Sequence, residues 1–228
     1  MTHQFKSIRL FKIFFVSLCM FAISLMGSTA LAANEKDIWV YVTNDKAEEV
    51  TELLNKGLDP NLINKNNQPA LIQAVRDGAW KVFDVLLDNP KINVNQLNPV
   101  GESPLMYVAL VGDLSRTQKL ISKGAHINKH DWTPLQYASI KGRTDIIKLL
   151  LSKGADPNEV APTGDTALIL AVQSDSTEAV QLLLNAGADP SASNFKAQDA
   201  VEIARMKGKD QLADALEKIA EKRRAAKN

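Results

Sequence analysis

The chain has 228 residues, 45% hydrophobic and 23% charged, enough for one domain with a sizeable core or for a short array of repeats. Its net charge of +1 excludes a strong electrostatic pull toward nucleic acid or an anionic membrane. A single cysteine, Cys19, excludes a disulfide framework, a zinc–cysteine site or a CxxC redox site within the chain.

Residues 1–32 read as a secretory signal peptide. Lys6, Arg9 and Lys12 form a basic start, and Ile13 to Met26 is an apolar run of 14 residues. Small residues at Ala30 and Ala32 suit a signal peptidase, with cleavage before Ala33. The run is short for a membrane span, which needs roughly 20 residues. The alternative is an uncleaved anchor over Ile13 to Ala33. Leu18 stands where a lipoprotein signal needs a small residue, which argues against lipid attachment at Cys19. Cleavage leaves 24 basic and 26 acidic residues, a net −2, and no cysteine. A chain without thiols suits an oxidising compartment such as a bacterial periplasm.

The first predicted helix pair, Asp37 to Leu54, turns at Asp45 and carries Glu48, Glu49 and Glu52 on its second helix. Such a polar outer face suits the end of a stack. The later pairs turn at Gly78, Gly112, Gly142, Asp175 and Gly208, at spacings of 33, 34, 30, 33 and 33 residues. In each first helix a large apolar residue (Leu71, Leu105, Leu135, Leu168, Val201) precedes a smaller one by three positions (Ala74, Val108, Ala138, Ala171, Ala204). The second helices carry paired leucines, as at Leu86-Leu87 and Leu150-Leu151.

The fourth unit is the clearest. Thr133 is a helix N-cap, Pro134 suits the first turn, and Gly142 breaks the chain. Ile146 to Leu151 forms the second helix, and Gly154-Ala155-Asp156-Pro157-Asn158 closes the unit. The third unit departs from the pattern, with Arg116 and Lys119 at apolar positions. A shortened connection follows it. Asn128 to Thr133 spans five positions, where Asn61 to Pro69, Asn95 to Ser103 and Asn158 to Thr166 each span eight. The last unit is polar, and residues 220–228 read as a polar C-terminal tail.

This near-33-residue period, with Thr133-Pro134-Leu135 opening a unit and Gly154-Ala155-Asp156-Pro157-Asn158 closing it, resembles the ankyrin repeat over about residues 36 to 219. Tetratricopeptide repeats have a similar period but lack that loop. With the leader, the chain resembles an exported bacterial ankyrin-repeat protein. The resemblance implies an all-α solenoid of about six units, both caps included, across residues 33–219. Each unit would be a helix pair with a projecting β-hairpin finger, burying its apolar face against its neighbours. The histidine that family members often carry after Thr-Pro-Leu, where it bonds the loop, is replaced by Ile72, Met106, Gln136, Ile169 and Glu202. Its interaction is expected to be lost, or at Gln136 partly replaced.

No residues suggest catalysis. There is no phosphate-cradling glycine loop, the mature chain offers no cysteine nucleophile, and no familiar Ser-His-Asp order occurs. His126 and His130 fall in a loop without a third ligand, so no metal and no cofactor are expected.

What remains is a surface. The resemblance places the residues just before each turn, and the finger residue just before each first helix, on a concave groove. The candidates are Arg76, Asp77, Leu110, Val111, Ile140, Lys141 and Gln173 on the rim, and Glu102, Trp132 and Asp165 from the fingers. Leu110, Val111, Ile140 and Trp132 give an apolar centre with polar flanks, as binding interfaces are arranged. Trp132 either stands in this groove or tucks onto neighbouring units as core. Trp80 occupies a core position in its helix. The expected function is non-catalytic binding of another protein, itself periplasmic or exported, by a monomer that contacts neither nucleic acid nor, after cleavage, the membrane. The partner would be an exported enzyme that is assisted or inhibited. A small-ligand receptor or enzyme in the same groove, or a structural spacer, are the competing classes.

Overall fold

The computed structural model describes residues 38–226; the signal-peptide reading of residues 1–32 and the start of the domain at residue 33 lie outside them. Six helix pairs stack in two layers among the described residues. The inner layer holds α1 (38–43), α3 (Ala70–Asp77), α5 (Pro104–Val111), α7 (Pro134–Ile140), α9 (Ala167–Gln173) and α11 (Ala200–Met206). The outer layer holds α2 (Ala47–Asn55), α4 (Trp80–Asp88), α6 (Leu114–Ser122), α8 (Thr144–Ser152), α10 (Thr177–Asn185) and α12 (Asp210–Ala225).

Local chemistry sets the helix starts. Ser103, Thr133, Thr166 and Asp199 accept a hydrogen bond from the backbone N–H three residues on, satisfying a donor that the helix leaves unpaired. The turns between paired helices confirm the repeat register. The six aligned residues, Asp45, Gly78, Gly112, Gly142, Asp175 and Gly208, all have positive φ. The two aspartates tolerate that left-handed backbone. Asp45 also acts across units, its Oδ1 accepting from Val82 N at 2.9 Å and capping α4, whose own N-cap residue is Ala79.

Fully buried Ala74, Val108, Ala138, Ala171 and Ala204 lie along the inner helices, where small side chains let neighbouring helices approach. One continuous apolar core runs from Ile38 to Leu216. It includes Leu150, which has no solvent exposure.

A ladder of asparagines joins the loops. Asn95, Asn128 and Asn158 each donate through Nδ2 to the carbonyl of the next unit's loop glycine, Gly124, Gly154 and Gly187. Each accepts through Oδ1 from the N–H two residues beyond that glycine. Asn61 makes the equivalent pair with Lys91 O and Asn93 N, although the second unit lacks the Gly-Ala-Asp loop. A carboxamide serves here because it holds a donor and an acceptor side by side.

The fingers are tight turns closed by backbone hydrogen bonds, as from Asn98 N to Glu102 O and from Ala161 N to Asp165 O. Strand pairing among the described residues is limited to one bridge, Ile63 to Pro69. Gly164 has φ +84°, and a Cβ there would stand 2.4 Å from Phe195 N. Only glycine allows the last two fingers to pack this closely.

Three features stand apart from the plain repeat pattern. First, Arg116 and Lys119, at apolar positions of α6, find partners on α4. Arg116 Nε and Nη2 bond Asp84 Oδ1 and Oδ2 at 2.9 and 2.6 Å, and its guanidinium lies 4.7 Å from the Trp80 ring centroid. Lys119 pairs with Asp88 at 2.7 Å. These ion pairs tie α6 to α4. Second, the boundary drawn after residue 219 falls inside a continuous helix. In α12 Ala220 is buried, and Arg223 donates to Leu184 O in the last turn of α10 and to Ala188 O in the loop that follows it. Third, Gln136 bridges the start of its own helix and the next finger, at the position where the family often carries the loop histidine. Its Oε1 accepts from Thr133 N at 2.9 Å while its Nε2 donates to Glu159 O at 2.9 Å. At the equivalent positions Ile72, Met106 and Ile169 are buried as core.

Candidate partner-binding groove

The short connection before α7 determines what the middle of the inner surface exposes. Asp131 takes φ +73° at its end, and Trp132 follows it, partly buried. The indole packs perpendicular to the Tyr137 ring, with centroids 5.7 Å apart. Tyr137 in turn lies 6.3 Å from Tyr107 on the neighbouring α5. Trp132 is therefore neither free-standing nor core, but the outer member of an aromatic cluster.

Glu102 joins the two phenols of this cluster. Its Oε2 accepts from Tyr107 Oη at 2.6 Å and from Asn98 Nδ2 at 2.7 Å, and its Oε1 accepts from Tyr137 Oη. Asn98 is itself fixed, because its Oδ1 accepts from the N–H groups of Val100 and Glu102. Burial pushes the Glu102 carboxyl up. The hydrogen bonds from both tyrosines and Asn98, with the field of Arg76, outweigh that and hold it below the ordinary glutamate value. Burial and the hydrogen bond to Glu102 push Tyr107 up to about 12, and the same causes raise Tyr137. At neutral pH the site is one carboxylate held by two neutral phenols.

The remaining candidates divide. Arg76 is exposed at the end of α3, within electrostatic reach of Glu102. Asp77 is exposed and accepts from Gln73 Nε2 at 2.8 Å. Leu110 and Ile140 are partly buried, while Val111 and Lys141 are exposed. Asp165 and Gln173 engage the last unit instead. Asp165 accepts from Asn194 Nδ2 at 2.9 Å, and the Gln173 carbonyl accepts from Lys207 Nζ at 2.9 Å.

Sequence reasoning missed Tyr107 and Tyr137. Both stand five residues before their turn glycine, one helical turn ahead of the rim residues Val111 and Lys141 and on the same face. Aligning that register position across units would have found them, since two adjacent units carry tyrosine there. It also missed the finger apolar residues Val100 and Phe195, which are 73% and 79% exposed, with Leu97 and Val160 less so.

His126 and His130 are exposed loop residues, and no group of three or more metal-ligating side chains occurs among the described residues. No helix among them is long and apolar enough to cross a membrane. Two open depressions lie at the C-terminal end, beside Arg224 and Ser191, away from the aromatic cluster.

A family model for ankyrin repeats (3 copies) matches residues 38–131, 81–161 and 105–194. The chain belongs to the ankyrin-repeat family. A crystal structure of an ankyrin repeat domain from Acinetobacter baumannii AYE superposes with a TM-score of 0.68 at 23% identity, covering 79% of this chain and 95% of that one. That likeness concerns the fold, a helical ankyrin-repeat solenoid. A rat protein, "Ankyrin repeat and SAM domain-containing protein 6", is 34% identical over 78 residues, covering 32% of this chain and 9% of its own length. Ankyrin repeats are in general non-catalytic modules for protein–protein interaction.

Proposed function

We propose that this chain is an exported, non-catalytic scaffold that binds a protein partner in its concave groove within the periplasm. The partner is an exported protein, an enzyme that the scaffold assists or inhibits. The observation that carries this reading is the partly exposed Trp132, backed by Tyr137 and Tyr107, whose hydroxyls are fixed on the Glu102 carboxylate. Preformed aromatic anchors lose little freedom on binding and commonly act as hot spots. The basic start, the short apolar run and the Ala30/Ala32 pair support export, and a mature chain without cysteine fits an oxidising compartment.

Affinity capture from a periplasmic extract tests the function, with Trp132→Ala as control. That substitution should weaken binding at least about tenfold, equivalent to roughly 1.4 kcal/mol. It should lower folding stability less than Leu150→Ala does. Unchanged affinity together with an equal loss of stability would make Trp132 a core residue and remove the groove. Intact mass tests export: the mature chain should begin at Ala33, and a membrane-bound species retaining residues 1–32 would instead indicate an anchor.

A further inference from the structure

Glu102 combines three properties that rarely meet without a counter-charge. It is partly buried, it is held by three neutral donors, and among the described residues it has no ion-pair partner. A carboxylate drawn partly out of water loses solvation that neutral hydrogen bonds recover only in part. Arg76, the nearest cation by its electrostatic effect, remains exposed at the helix end. Two phenols, Tyr107 and Tyr137, hold the carboxylate through their hydroxyls, and the Trp132 indole packs edge-on against Tyr137. Aromatic faces attract cations through their quadrupole. A phenol donating its O–H to an anion carries a more electron-rich ring, so the partly exposed Tyr107 is the stronger attractor for it, with the buried Tyr137 behind.

We infer that Glu102, Tyr107, Tyr137 and Trp132 form a seat for an arginine side chain presented by the protein partner. This rests on the groove reading above and gives it a chemical specificity. A planar guanidinium lies flat on an aromatic face while its edge N–H groups reach a carboxylate, and it is less strongly hydrated than an ammonium, so it is drawn from water more readily. The shortened connection at residues 129–131 matters here, because a finger of ordinary length would carry three more residues beside Trp132.

The test is an NMR titration of the nitrogen-15-labelled protein, following the Trp132 indole N–H, which Trp132→Phe assigns. The probe is N-acetyl-arginine amide at constant ionic strength. A saturable shift is expected, with dissociation in about the millimolar range for one side chain. N-acetyl-citrulline amide, of nearly the same shape but neutral, should bind at least about tenfold more weakly, and N-acetyl-lysine amide should fall between them. Glu102→Gln keeps the shape and removes the charge, and should weaken the arginine probe at least about tenfold while circular dichroism shows the fold intact. Equal binding of citrulline, indifference to Glu102→Gln, or no saturable shift up to about 50 mM probe would each overturn the seat. If the arginine probe fails while Trp132→Ala still releases a captured partner, groove binding stands and its arginine chemistry falls. If the probe binds but Trp132→Ala does not release the partner, arginine binding at these residues stands, while its supply by the partner falls with the groove function.

Discussion

Replacing Arg116 by alanine removes one of two side-chain links between α4 and α6, leaving that of Lys119 with Asp88. The guanidinium meets both Asp84 oxygens, at 2.9 and 2.6 Å, and its side chain is 25% exposed. Exposed ion pairs contribute about 0–1 kcal/mol, and two-pronged geometry with this partial burial places the pair near the upper end of that range. The contact over Trp80 at 4.7 Å adds about 0.5–1 kcal/mol. The expected loss is therefore roughly 1.5–2 kcal/mol. With a urea slope of about 2 kcal/mol/M, the unfolding midpoint read by circular dichroism should fall by nearly ~1 M. A double-mutant cycle with Asp84→Asn should return a coupling of about 1 kcal/mol. High salt should shrink that coupling and leave the ring contact, which is less dependent on screening. Hydrogen exchange adds a local readout. α6 buries only Thr117 and Leu120, whereas α8 buries Ile146, Ile147 and Leu150, so α6 should open first, and Arg116→Ala should widen the gap. A cost below about 0.5 kcal/mol would refute the clamp. So would Arg116→Leu stabilising the protein, because the arginine would then be a defect in an apolar position.

Leu150→Ala should cost about 2–5 kcal/mol in urea unfolding, since Leu150 is fully enclosed between stacked units. Asn128→Ala should cost about 1–2 kcal/mol and speed exchange of the Asp156 amide, because both of its bonds to the next loop disappear. The groove cluster should also make stability depend on pH at both extremes. Glu102 is depressed in the fold, so the unfolded chain binds its proton first as pH falls. Its contribution is present above about pH 4.5 and is lost as pH drops through the folded value, and Glu102→Gln should flatten acid unfolding there. Tyr107 is raised to about 12, so its contribution is complete below pH 10 and is lost as pH rises from 10 toward 12; Tyr107→Phe should flatten alkaline unfolding in that window.

The repeat was legible in the sequence because each unit repeats the same local demands at a fixed spacing. Thr133 and Pro134 start a helix, Gly142 needs a left-handed backbone, and Ala138 must be small where helices meet. These are properties of a residue and its near neighbours, so one chain suffices to read them. The candidate site was legible only in part, since Trp132 and Glu102 could be named from their place before a helix. Their joining was not, because Glu102 and Tyr137 come from successive units and meet only when α5 packs on α7. Arg116 shows the same limit from the other side. Within its own helix it is a charge on an apolar face, and only the approach of Asp84 and Trp80, more than thirty residues earlier, makes it a clamp. Local propensity fixes where the backbone turns. Which charges find partners is decided by distances between units, and those exist only once the units are stacked.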